Sequence, residues 1–341
     1  MKRLYFVPAV AMLVSLVILR EARAEQLDLK EVAADATWLG HVDVDALRAS
    51  SVVRKFWQHL PETHPDAKKH IDFVSGLLGM DPRKDLHGIT FYGKDLGKPA
   101  GVLIVHAKFD RQRLLSIAEK GPNHQVAKRD GYELHSWRFE RGDHPQTVVA
   151  AFDGPGRIVV ASGSDDLMQA MNVLPSKSPS LKRDAPLSGH IPPGTSVLFR
   201  AHGVARSHAA EKSRLAKQTE SFRFVLGEDQ GRSFFRARAV MNTDDVVQKL
   251  KAVIEGARAL ASLHVAGDKQ AERLVDGLRV KVDASTLTVL WSASADDVWA
   301  VVQKHAKLLA DWHAKHEAWR RHVGESHQRP ATRPVPPEED F

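Results

Sequence analysis

The sequence predicts an α+β protein of two similar halves, each an antiparallel sheet with helices on one face in a permuted ferredoxin-like order, followed by a long C-terminal helix. Three observations lead there. Apolar and polar residues alternate over many short runs, the period-two pattern of half-buried strands. Between pairs of such runs the period lengthens to three or four, as amphipathic helices require. The order of these elements then repeats: 87–93 and 102–110 align with 221–227 and 236–244 at an offset of 134, and 37–49 aligns with 195–207 at 158. Self-similarity of this kind marks an internal duplication.

Ala36 to Val44 reads as the first strand, and Asp45 to Ala49 turns the chain into a helix over about 51–60. A second helix follows Pro65, with Ile71, Val74, Leu77 and Leu78 on one face and Gly79 near its end. Strands at 89–92 and 102–109 come next, and Asp110 caps a short helix that Gly121 and Pro122 stop. Strands at 132–139, 147–152 and 158–161 lead to a helix opened by Ser164, Asp165 and Asp166 and ended by Pro175. The stretch 176–193 is rich in Ser, Pro and Lys, a linker composition, and divides a first domain, 25–175, from a second, 194–325.

The second half writes out one whole unit. Phe222, Phe224 and Leu226 alternate with Ser221, Arg223 and Val225; after a turn at 227–231, Phe235, Ala237 and Ala239 alternate with Phe234, Arg236 and Arg238. A helix starts at Thr243 and another near Asp268. Then Leu278, Val280 and Val282 alternate with Arg279, Lys281 and Asp283, and 286–291 is the returning strand. Ser294 and Asp297 form a capping box for a helix running to about Val323. Along it Val298, Val302, His305, Leu309, Trp312, His316 and Trp319 are spaced four, three, four, three, a heptad seam. From Ser326 the chain is proline-rich and charged, the composition of a disordered tail.

Residues 1–24 have the parts of a secretory signal: Lys2 and Arg3, an apolar run to Leu19, and the small residues of Ala22-Arg23-Ala24 as a cleavage site. That run of 16 is shorter than a spanning helix needs, so no integral membrane segment is expected after cleavage, and the protein is expected to be secreted or periplasmic. The chain has no cysteine, which excludes disulfides, thiolate metal sites and cysteine nucleophiles. After removal of the signal, 45 basic side chains stand against 41 acidic ones, a thin excess that argues against nucleic-acid binding.

No catalytic motif emerges. Gly88 to Lys94 fits seven positions of a phosphate-binding loop, but residue 95 is Asp where a hydroxyl is needed, and the segment reads as strand. The paired acids at 165–166, 244–245 and 296–297 sit in first turns of helices, where carboxylates favour the helix dipole. His313 and His316, three apart with Asp311 and Glu317 nearby, are the candidate metal ligands, although histidines on a charged helix are usually solvated. Trp57, Trp137, Trp291 and Trp299 read as core residues. Trp312 and Trp319 lie on a stripe that overhangs a small domain, and they are the candidate partner surface.

The runs Ala36-Thr-Trp-Leu-Gly-His-Val-Asp-Val, Gly101-Val-Leu-Ile-Val-His-Ala-Lys-Phe-Asp and Leu278-Arg-Val-Lys-Val-Asp resemble a group of uncharacterised secreted bacterial proteins built from repeated strand-strand-helix units. That resemblance implies a fold and carries no activity, cofactor or catalytic residue. The expectation is an extracytoplasmic, non-enzymatic protein without a cofactor, binding a protein partner or a second copy through its sheet faces or C-terminal helix. The alternative is a secreted hydrolase whose His, Asp and Glu residues assemble between the two halves.

Overall fold

The protein is described here by a computed structural model, in which residues 27–63, 67–98, 100–141 and 144–305 are placed. The signal segment, His313, His316, Trp312, Trp319 and the acidic C-terminus all lie outside the described residues.

Twelve strands form one antiparallel sheet: β1 Trp38–Asp43, β2 Leu86–Gly93, β3 Val102–Ala107, β4 Gln125–Arg129, β5 Tyr132–Arg141, β6 His144–Asp153, β7 Arg157–Ala161, β8 Thr195–His202, β9 Thr219–Asp229, β10 Arg232–Met241, β11 Leu278–Asp283 and β12 Thr286–Ser294. Their spatial order is β11-β12-β10-β9-β8-β1-β2-β3-β7-β6-β5-β4. The sheet therefore runs unbroken across the middle of the chain, where a separate antiparallel sheet in each half was expected. The join is β1 against β8, from Trp38 opposite Ala201 to Val42 opposite Val197. Five of the six residues of β1 are buried, so the strand needs a neighbour along both edges and cover on both faces.

The helices also occupy both faces, where one was expected. On the first face, helix Ser164–Val173 inserts Leu167, Met168 and Met171 against Leu39, Tyr92, Ile104 and Val159. On the second, helix Asp244–His264 packs Val246, Val247, Leu250 and Ile254 against Ala239, Val280, Leu287 and Val289. Strand β3 shows why a single helical layer cannot suffice: Val102 and Ile104 point into the first core, while Leu103, Val105 and Ala107 join a second beneath Met80. An apolar strand without alternation needs cover on both sides.

Strand β4 was not anticipated, since all five of its residues are exposed and its backbone pairs with β5 without any apolar period. Segment 176–193, which has the composition of a linker, is packed. Leu181 and Leu187 are buried in the main core, and Leu181 N–H donates to the Val32 carbonyl at 2.8 Å. Of the four tryptophans expected inside, Trp299 is buried and Trp57, Trp137 and Trp291 are half-buried. Two indoles satisfy their N–H groups on helix-end carbonyls, Trp137 on Ala118 at 2.8 Å and Trp291 on Leu274 at 2.7 Å. Among the described residues no helix is long and apolar enough to cross a membrane.

Candidate functional site

The register of β8 to β12 builds a cationic surface. Arg200 lies opposite Arg223, Arg223 opposite Arg238, Arg238 opposite Thr288, and Thr288 opposite Lys281. One row along, Val225 faces Arg236, Arg236 faces Leu290, and Leu290 faces Arg279. Side chains two apart on a strand share a face, so these rows lie on one side of the sheet. It is the side away from helices Asp244–His264 and Lys269–Asp276, which pack on the alternate residues Ala239, Val280, Val289 and Trp291.

Arg223, Arg236, Arg238, Arg279 and Lys281 are all exposed, around a half-buried Leu290 and Thr288. Arg200, at the inner end, is buried and donates to the carbonyls of Leu187 at 2.9 Å and of Gly189 and His190 at 3.2 Å. Burial, then the charge of Arg223, pulls its guanidinium down to about 10. Arg223 donates to the Pro186 carbonyl at 2.9 Å, so these two arginines anchor segment 176–193 over the sheet. The other four have no such duty. Arg236 lies over the Phe234 ring at 5.4 Å, and among the described residues no carboxylate lies in ion-pairing distance of Arg236, Arg238, Arg279 or Lys281. Asp229 and Asp283, at the margins of the same face, are its only acids on these strands. Like charges directly opposed across strands destabilise a sheet, so Arg238, opposite Arg223, has no folding rationale among the described contacts.

A second polar region lies at the β1–β8 join, a cleft of about 640 Å³ lined by Leu27, His41, Asp43, Arg54, Ser196 and Glu228 among others. Three of its polar groups, Asp43, His41 and Glu228, are engaged in folding contacts. Asp43 accepts from the Ala46 N–H at 2.7 Å and caps helix Val44–Ala49. His41 Nδ1 meets Thr90 Oγ1 at 2.9 Å. Glu228 accepts from Ser50 Oγ and the Ser51 N–H at 2.8 Å and caps helix Ser51–Thr63 from the other half of the chain. Its burial, which would raise the pKa, is outweighed by the hydrogen bonds from Ser51, Ser50 and Val52, so the carboxyl stays below its ordinary value.

No known protein family matches the chain, and no curated protein is similar to it. Two solved structures, crystal forms I and III of TP0453, superimpose on 82% of the chain, at 12% and 13% identity and TM-scores of 0.41 and 0.43, and cover 98% and 99% of that protein. A likeness this slight carries no argument.

The elements expected from the sequence mostly recur, with different consequences for the candidate residues. Gly88 to Gly93 is strand β2, hydrogen-bonded to β1 and to β3, so its amides cannot cradle a phosphate. Asp165, Asp166, Asp244 and Asp245 lie in first turns of helices. Ser294 caps the helix over 295–305, half of the expected capping box: the Asp297 N–H donates to Ser294 Oγ at 3.1 Å, and that hydroxyl, in place of the Ser294 N–H, donates to the Asp297 carboxylate at 2.7 Å. The Arg273 guanidinium, with that hydroxyl, holds Asp297 at about 2. Among the described residues no group of three or more His, Asp or Glu side chains could hold a metal. The cationic face escaped the sequence because its charges come from strands more than forty residues apart. The one available signal was the alternation of Arg236 and Arg238, and of Arg279 and Lys281, within their strands.

Proposed function

We propose that this is an exported, non-enzymatic binding protein built by duplication, and that its partner is acidic and docks on the open face of β9 to β12. The observation that carries the reading is the group of four cations, Arg236, Arg238, Arg279 and Lys281, which surround Leu290 and have no ion-pair partner among the described residues. Unpaired charge held on a rigid face raises the local concentration of anions and speeds their capture. The duplication is supported by strand order. In the second half the sheet runs β11-β12-β10-β9 and in the first β6-β7-β3-β2, which is the same permuted ferredoxin-like sequence of neighbours; each half adds one strand at the join, β8 or β1, and the first half adds two more, β5 and β4, at its outer edge. The secretory pattern of residues 1–24 supports export.

Fluorescence anisotropy with a labelled oligo-glutamate tests the reading. The mature chain is expected to bind it with an affinity that falls steeply with salt, and the combined substitution Arg236→Glu, Arg238→Glu, Arg279→Glu and Lys281→Glu to weaken binding at least tenfold. Each exposed ion pair is worth up to about 1 kcal/mol, so four reversals are ample for that loss. Equal binding by the fourfold variant would refute the assignment of the face.

The second reading, a hydrolase with its site between the halves, rests on the cleft at the β1–β8 join. It is the weaker of the two, because Asp43 and Glu228 serve there as helix caps. Glu228 in particular is held ionised, the wrong state for a general acid.

A further inference from the structure

We propose that the acidic end of this chain, Glu338, Glu339, Asp340 and Phe341, docks on its own cationic face and competes there with the external partner. This rests on the reading that the face takes an acidic ligand, and it names the occupant when none is supplied. Three observations carry it.

The first is charge. The last eight residues, Pro334 to Phe341, contain three acids and no base, in a chain that is otherwise basic, while the face has four cations with no ion-pair partner among the described residues and two acids, Asp229 and Asp283, only at its margins. The second is spacing. Arg236 and Arg238 are two residues apart on β10, roughly 6.8 Å by strand geometry. Glu338 and Asp340 in an extended chain repeat at that same distance on one side. Arg279 and Lys281 stand two strands away, roughly 9.6 Å. Between the two pairs Leu290 is the apolar spot against which the Phe341 ring can lie.

The third is reach. The described chain ends at His305 in a helix over 295–305, tied by Lys304 to Asp268 at 2.5 Å. Asp268 caps helix Lys269–Asp276, which leads directly into β11, the edge strand that carries Arg279 and Lys281. The described chain therefore ends against the helix that precedes this edge strand, on the opposite face of the sheet. Thirty-six residues, 306 to 341, follow it, more than a chain needs to pass around one strand at up to about 3.3 Å per residue.

Tethering gives the magnitude. A short linked segment acts at about 1 mM, so a free peptide that binds at about 100 μM would be excluded about tenfold by the attached tail. The experiment compares the full mature chain with one shortened to Arg333, both checked for an unchanged thermal melt, against a labelled peptide of residues 334–341 and a labelled oligo-glutamate. The shortened chain should bind the peptide about tenfold more tightly than the full chain, and Arg236→Glu with Arg238→Glu in the shortened chain should remove that binding. Equal affinities in the two chains, or binding indifferent to the two arginines, overturns the tail as occupant. Peptide exclusion that fades on dilution of the full chain would move the occupant to a second copy and also overturns it. A shortened chain that takes oligo-glutamate through Arg236 and Arg238 but ignores the peptide discards the tail and leaves the acid-binding face standing. Failure of both probes discards the two together.

Discussion

Glu31 shows how much this cysteine-free chain asks of single side chains. It sits in a 3-10 turn of the N-terminal segment, buried to 9% exposure, and holds two partners on the sheet. Its Oε2 lies 2.9 Å from His106 Nε2 on β3, and its Oε1 accepts from Arg157 on β7 at 2.7 Å. Burial alone would raise its pKa. The hydrogen bond and charge of His106, and those of Arg157, outweigh burial and lower it. A carboxyl whose folded pKa is depressed contributes stability above its unfolded value and loses it as pH falls through the lower, folded one. The expected outcome for Glu31→Gln is a loss of about 1.5–3 kcal/mol at neutral pH, the range for a hydrogen bond to a charged partner. Wild type and variant should begin to converge below the ordinary glutamate pKa of about 4.3 and meet only below the lower, folded value. Urea melts of both proteins at a series of pH values would measure it, and a difference that persists at the acid end would show that the contact acts by packing.

At the level of the element, period was legible and company was not. Strands β9 to β12 and both helices between them stand where alternation and three-four spacing put them. Strand β4, with no apolar side, gave no signal, and the packed segment 176–193 reads as linker because its order comes from arginines on other strands. The cationic face is invisible for the same reason: cross-strand register creates it, and no local window contains it. Glycine in β1 has a related, non-local cause. Gly40 lies between Phe91 on β2 and Phe199 on β8, and a Cβ there would stand 2.2 Å from the Phe91 ring, which leans across the strand toward Trp38 with centroids 6.2 Å apart. Gly40→Ala is expected to cost about 1–3 kcal/mol, as overpacked cores do. In a Phe91→Leu background the same change should cost distinctly less, and a double-mutant cycle from chemical denaturation reads the difference. Additive losses would place the strain elsewhere.

For the whole molecule the question is whether the chain unfolds as one body or two. The main core draws on both halves at once: Leu39, Tyr92, Ile104 and Val159 from the first pack in one cluster with Leu198, Val225 and Phe234 from the second, and Leu181 and Leu187 of the connecting segment close over them. Glu228 of β9 caps a helix of the first half, and eleven strand pairings run without a gap from β11 to β4. Halves that share a core and a strand edge cannot expose one without opening the other, which is the condition for a single cooperative transition. Leu198, 2% exposed beside the join, tests this. Leu198→Ala should cost about 2–5 kcal/mol, the usual range for a buried leucine. Calorimetry should then show one peak moved to lower temperature with its calorimetric and van't Hoff enthalpies still equal. Two autonomous domains would respond differently, since the cavity would lower only the transition of the second half and a first peak would stay where it was. Such a split trace would mean that the β1–β8 edge is a contact between finished domains, whereas an undivided one would make it part of the core on which both halves depend.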